Sequence, residues 1–253
     1  MRQRATIVSR LRRLLGNGPN LQFLDPKEAY DLWAETYDAA DGNVLLHTEE
    51  RIIRPLLDSL HLADAEILDA GCGTGRYMLQ LLEKCPRRLV GFDSSLRMLD
   101  IAQGKFASNS SLSLVNASFA KLPFPSGRFD LILSTLAVDH VPGLAGIMRE
   151  LTRVLKSGGR IILSCFHPFG ALAGWKRTFS VHFRTYAVRY IPYSVADYLN
   201  AFSSAGLTVV RVEEPVIDER VKHLYTAMGK EDFYERSKGH PLSLIFVLQK
   251  AIS

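Results

Sequence analysis

The chain of 253 residues carries 31 Lys and Arg against 26 Asp and Glu, a formal excess of +5, with 47% hydrophobic and 23% charged residues. The whole excess lies in residues 1–24, where Arg2, Arg4, Arg10, Arg12 and Arg13 meet no acidic side chain, so residues 25–253 are neutral in sum. A neutral body argues against a main domain that wraps nucleic acid, which needs basic surface to release counterions.

Residues 5–15 place Ile7, Val8, Leu11, Leu14 and Leu15 within an arc of about 120° at helical period, with Arg10, Arg12 and Arg13 outside it. Gly16, Gly18 and Pro19 follow, which predicts a short basic amphipathic helix on a linker, and residues 1–24 as an arm. Arginines interrupt its apolar residues and no small-residue cleavage site follows, unlike a secretory signal. Asp25-Pro26-Lys27-Glu28 reads as a helix start, with Asp25 as N-cap, Pro26 in the first turn and Glu28 closing a capping box. That helix carries Tyr30, Trp33 and Tyr37 at helical spacing, and a second one should run from the turn Asp41-Gly42-Asn43 to about Leu60.

The pattern then changes to strands alternating with helices. Glu66–Ala70, Arg88–Asp93, Leu112–Asn116, Phe129–Ser134 and Gly159–Phe166 read as strands. Tyr77–Lys84, Leu96–Phe106 and Leu144–Leu155 read as the helices between them. This order means a parallel sheet with right-handed crossovers. Ser194–Ala205 reads as a further helix, with strands at Thr208–Val212 and Leu242–Leu248. No apolar run approaches the ~18–20 residues of a membrane span. Cys72, Cys85 and Cys165 are odd in number and far apart, so neither a disulfide framework nor a zinc site is expected and a reducing compartment fits.

The sharpest local signal is the loop after the first of these strands, Asp69-Ala70-Gly71-Cys72-Gly73-Thr74-Gly75. Glycines let backbone turn tightly and approach a ligand with no Cβ in the way. A dinucleotide's pyrophosphate favours G-x-G-x-x-G on a helix N-terminus. Here the spacing is G-x-G-x-G, and Asp69 would repel a pyrophosphate while suiting an ammonium group. Asp93, ending the second strand, can accept both hydroxyls of a ribose, which either cofactor class offers.

Ile67–Tyr77, Leu89–Gln103, Lys121–Ser134 and Glu150–Gly159 together resemble successive motifs of class I S-adenosylmethionine-dependent methyltransferases, in the small-molecule group that includes ubiquinone and menaquinone biosynthesis enzymes. The resemblance covers roughly residues 27–166 well and 194–250 loosely. It implies an α/β, Rossmann-like, doubly wound fold: a seven-stranded, mostly parallel sheet with an antiparallel last strand, N-terminal helices and an insertion after the fifth strand. It implies S-adenosylmethionine as cofactor, held at its methionine end by Asp69 and the loop Gly71, Cys72, Gly73 and Gly75, with Ser134 beside it. Asp93 would hold the ribose, Ser94 and Met98 would flank ribose and adenine, and Ser118 and Phe119 would meet the adenine. Ser118 departs from the family, which usually has an aspartate there. Tyr30 and Tyr37 match a family pattern on a helix lying over the cofactor.

Methyl transfer needs alignment of acceptor, methyl and sulfur, and a general base only when the acceptor arrives protonated. The resemblance places His140 on the loop facing the methyl, as candidate base, with Asp139 beside it as orienter or loop cap. His167 follows the fifth strand on the acceptor side. Residues 167–193 hold seven aromatic side chains and no acid occurs between Glu150 and Asp197. With 215–240 they are expected to cover an aromatic or apolar acceptor within a single domain of residues 25–253, and a quinone- or lipid-like compound fits that description. A cytoplasmic enzyme is expected, with residues 5–15 as a weak membrane-surface tether and no nucleic-acid partner. The alternative is a cofactor-binding protein without catalysis.

Overall fold

The computed structural model describes residues 21–39 and 42–252; the basic helix expected over residues 5–15 lies outside them. Gln22–Leu24 form a short strand, β1, ahead of helix α1 (Pro26–Tyr37). Pro26 opens the helix, where a missing N–H breaks no bond. The expected capping box does not form: the Asp25 carboxylate makes no capping bond and instead accepts from Arg189 Nη1 at 2.8 Å. An oppositely charged partner across the fold holds it off the helix end. Helix α2 (Val44–Asp58) is capped by Asn43, whose side chain accepts from the Leu46 N–H at 3.3 Å.

The alternating core follows as β2 (Glu66–Ala70), α3 (Met78–Glu83), β3 (Arg88–Asp93), α4 (Leu96–Phe106), β4 (Leu112–Asn116) and β5 (Phe129–Thr135). Next come α5 (Leu144–Val154) and the long strand β6 (Leu155–Phe166). Helix α6 (Pro168–Leu172) leads to a hairpin of β7 (Arg177–Val181) and β8 (Arg184–Val188). The chain ends with α7 (Val195–Ser204), β9 (Leu207–Glu213), α8 (Lys222–Ala227), α9 (Glu231–Ser237) and β10 (Ser243–Lys250). Here Ser194 and Asp197 do form a capping box at the start of α7.

Seven strands make one sheet in the order β4-β3-β2-β5-β6-β10-β9. All of its pairings are parallel except those of β10, which runs antiparallel to both β6 and β9. This is the doubly wound, Rossmann-like architecture expected, with its antiparallel last strand. Parallel strands buried on both faces read as continuous apolar runs, and adjacent residues here divide between the faces. Leu68, Ile132, Ile161 and Phe246 pack with Met148 and Leu151 of α5 and Phe202 of α7. Ile67, Leu131, Leu133 and Ile162 pack with Ile53 and Leu57 of α2 and Met78 and Leu81 of α3. Among the described residues no helix is long and apolar enough to cross a membrane.

A second, three-stranded sheet, β1-β8-β7, went unread in the sequence. β1 runs parallel to β8, with Gln22 opposite Tyr186 and Leu24 opposite Val188, so residues 22–24 belong to the folded body rather than to the arm. This sheet seats on α1: Trp33 is buried and stacks on Phe179 with ring centroids 4.6 Å apart and planes 10° from parallel. Trp33→Ala should therefore destabilise the fold by about 3–5 kcal/mol, as removal of a buried aromatic does. Urea unfolding reads this directly, and an unchanged midpoint would mean that the hairpin is anchored elsewhere.

Candidate functional site

The chain leaves β2 for β3 and β4 on one side, then returns to β5 and β6 on the other. Such a reversal opens a crevice beyond the carboxyl ends of the two central strands. A cleft lies there, lined by these strand ends and the loops that leave them, where open α/β sheets bind small molecules. The loop after β2 supplies Gly71, Cys72 and Gly73, and Asp69 closes the strand beneath them. The end of β3 adds Asp93 and Ser94, and α4 adds Met98. Ser118 and Phe119, Tyr30 and Tyr37 of α1, and His140 complete its lining.

The glycine loop is shaped for close approach. Gly71 has φ +72°, and a Cβ on it would meet the Ala137 Cβ at 2.5 Å. Gly73 has φ +55° and faces open space, so a side chain there would fill the cleft. Asp93 ties loop to helix: Oδ2 accepts from the Gly73 N–H and Oδ1 from the Ser95 N–H, each at 2.8 Å. Each oxygen keeps a further lone pair for a ligand. Burial raises the Asp93 carboxyl above its usual range. Asp69 is pushed further, to about 7, first by burial and then by the negative Asp93 and Glu49, against the pull of Arg76. The Cys72 thiol is buried and pushed well up, so it stays protonated.

Around His140 three side chains close a triangle. The Tyr30 hydroxyl lies 2.9 Å from His140 Nε2. Arg177 donates through Nη2 to the Tyr30 oxygen at 3.0 Å and through Nη1 to His140 Nε2. His140 Nδ1 lies 2.9 Å from the Arg189 carbonyl, which can only accept, so the ring proton sits on Nδ1 and Nε2 offers its lone pair. Burial and then the Arg177 charge lower His140 to about 4. The imidazole is thus neutral at pH 7 and a weak proton acceptor. Asp139 does not bond the ring; its Oδ2 accepts from the Phe166 N–H at 3.2 Å and lies 3.9 Å from Arg177.

Three expected residues sit elsewhere. Ser134 is buried and donates to the Ala70 carbonyl at 2.9 Å, so the neighbouring Thr135 lines the cleft instead. Gly75 is spaced for packing: a Cβ there would press on Met78 and Phe106. His167 caps α6, with Nδ1 accepting from the Phe169 N–H at 3.1 Å and Nε2 3.0 Å from Glu214. It does not line the cleft. Nor do residues 215–240, whose Leu224, Tyr225 and Tyr234 pack with Phe166 and Leu242 beside Trp175.

Other residues of the site escaped the sequence reading. Arg76 faces the cleft while bound to Glu49 at 2.5 Å and Glu50 at 3.3 Å. Leu136 lines it in a left-handed conformation, φ +53°, its N–H held by the Ser164 carbonyl at 3.0 Å and hydroxyl at 3.1 Å. A bulky residue with positive φ is uncommon and marks a site held by its surroundings. Arg177 is one of several basic residues in 167–193, and no local pattern singles it out from Lys176, Arg184 or Arg189.

Residues 68–163 match the family model of a methyltransferase domain. A demethylmenaquinone methyltransferase of Bacillus licheniformis is 32% identical over 123 residues, which are 47% of this chain and 52% of that protein. An uncharacterized methyltransferase of Emericella nidulans is 27% identical over 200 residues, 63% of this chain and 68% of that one. The chain spans about half the length of most of the curated relatives it matches. Among solved structures, an S-adenosylmethionine-dependent methyltransferase fold from Listeria monocytogenes aligns with TM-score 0.65 at 20% identity, covering 81% of this chain and 98% of that one.

The triangle of Tyr30, His140 and Arg177 is open to direct measurement. Proton NMR of the free protein should show His140 titrating near 4. In Arg177→Met its pKa should rise toward the ordinary ~6.5 of histidine, because the nearby cation no longer opposes protonation. Unchanged titration in the variant would mean that burial alone sets it.

Proposed function

We propose that the chain moves a methyl group from S-adenosylmethionine to a small-molecule acceptor, a reading supported by the match of residues 68–163 to the family model of a methyltransferase domain. The observation that carries this is one cleft lined together by Asp69, the open Gly73 backbone, Asp93, Tyr30 and His140. The open space over Gly73 and the spare lone pairs of Asp93 fit the cofactor. Asp69 would pair with the methionine ammonium, Asp93 would accept the ribose hydroxyls, and Phe119 would lie against the adenine. Cofactor-bound methyl is already activated by its sulfonium. The protein's part is then to align the acceptor and exclude water. His140, neutral and with Nε2 engaged, serves as a positioning group rather than as the base. Tyr30 and Tyr37 give the cleft an aromatic wall suited to an aromatic or apolar acceptor, and the likeness to demethylmenaquinone methyltransferase favours a quinone-like compound.

The arm is proposed to attach weakly to an anionic lipid surface through residues 5–15. Because β1 starts at Gln22, a deletion that tests this should stop at residue 20. It should lower flotation with anionic vesicles and leave cofactor affinity unchanged.

Transfer of labelled methyl from S-adenosylmethionine into metabolites of a cell extract, read by mass spectrometry, tests the activity. A folded, cofactor-binding sample that labels nothing would argue for a binding protein without catalysis. Asp93→Ala should weaken cofactor binding at least about tenfold, the loss of a charge-assisted bond worth roughly 1.5–3 kcal/mol; unchanged affinity in calorimetry would sink the ribose assignment. Asp69 adds a pH signature. Its carboxyl is half-protonated near 7 in the free protein, and the cationic cofactor selects the ionised form. Affinity should therefore fall as pH drops below about 7, by roughly tenfold per unit, with proton release on binding. Asp69→Asn should bind more weakly and flatten that dependence.

A further inference from the structure

Arg177 reaches the site from the hairpin with its side chain only 6% exposed. Its guanidinium sits behind the cleft wall: Nη1 reaches His140 Nε2 and the Leu136 carbonyl, the latter at 3.4 Å, and Nη2 reaches the Tyr30 oxygen at 3.0 Å. Leu136, His140 and Tyr30 all line the cleft. The opposing carboxylate, Asp139, lies 3.9 Å from Nη1 and accepts instead from the Phe166 N–H at 3.2 Å.

Donors outnumber acceptors in this corner. With its proton on Nδ1, His140 has a single lone pair on Nε2. Two donors converge on it, the Tyr30 hydroxyl and Arg177 Nη1. When Arg177 takes the lone pair, the Tyr30 hydroxyl has a proton to give and a cation bound to its oxygen. In that arrangement the cation-backed hydroxyl of this cleft-lining residue is left without an acceptor, and an ionised ligand oxygen would supply one.

Resting on the methyltransferase reading, we propose that the acceptor binds as an oxyanion, a phenolate or enolate, with its charged oxygen on Tyr30 and Arg177 as the positioning residue behind it. Methyl transfer then needs no general base. The anionic oxygen, or the carbon conjugated with it, supplies the electron pair for the new bond to methyl. The carbon–sulfur bond breaks with its pair left on sulfur, and negative acceptor and positive sulfonium become two neutral centres. On carbon, the proton displaced from the ring or chain leaves afterwards to solvent.

The probe is 4-nitrophenol, whose ionised form is coloured, titrated with the protein with and without S-adenosylhomocysteine. Bound probe should ionise about one pH unit lower than in water, a tenfold preference for phenolate. Arg177→Met should abolish that shift and Arg177→Lys should keep part of it, while thermal melting and calorimetric S-adenosylhomocysteine binding report that each variant is folded. A probe that binds without a shift, fails to bind the folded protein, or shifts equally in Arg177→Met overturns the proposal. Failure to bind S-adenosylhomocysteine alongside an intact phenolate shift would instead overturn the cofactor reading and leave the oxyanion site standing.

Discussion

The buried carboxylate of Glu49 holds the site together. It has no solvent exposure and accepts from Arg76 at 2.5 Å, from the Tyr77 hydroxyl at 2.8 Å and from Ser164 Oγ. Those donors come from the end of the glycine loop and from β6, while Glu49 itself stands on α2. Ser164 in turn accepts from the Leu136 N–H and so fixes the left-handed turn that carries the chain from β5 toward His140. Breaking a buried ion pair on one side leaves the other charge uncompensated, at about 3–5 kcal/mol. One carboxylate thus couples the glycine loop on one part of the cleft to the Leu136 turn on another.

A second set of polar bonds seats α1 over the same cleft. Ser95, the N-cap of α4, donates to Asp31 at 2.5 Å, and Thr74 in the glycine loop donates to Asp38 at 2.7 Å. Lys105 closes the set, 2.6 Å from Asp38. The outer surface of α1 is covered by the hairpin sheet through the Trp33–Phe179 stack. The hairpin therefore acts on the site by support from behind rather than as a flap across the mouth, with Arg177 its point of entry.

Much of the cleft was legible because its residues are close in sequence and their spacing encodes backbone shape. Asp69, Gly71, Gly73 and Asp93 sit at strand ends, and a parallel sheet puts consecutive strand ends side by side. Ser134 and Thr135 show where that logic stops. Side chains alternate across a strand, and only the twist and neighbours of β5 decide which of two adjacent hydroxyls faces the ligand. His167 was misleading for a related reason: it directly follows β6, but Pro168 starts a helix there and recruits the ring as its cap. The Asp25 capping box failed in the same way, as Arg189 is 164 residues distant and no local pattern announces it.

The amino-acid sequence by itself determined the alternating strands and helices, the doubly wound sheet and the glycine loop between two carboxylates. Periodicity, turn residues and the steric freedom of glycine are local properties, and they act before distant parts of the chain meet. Only the tertiary structure decided the rest: that Leu24 pairs with Val188, that Glu49 is the hub of a buried network, and that Arg177 stands behind Tyr30 and His140. Those contacts join side chains far apart in the chain. Their charges acquire their strength from burial, which exists only once the layers have packed.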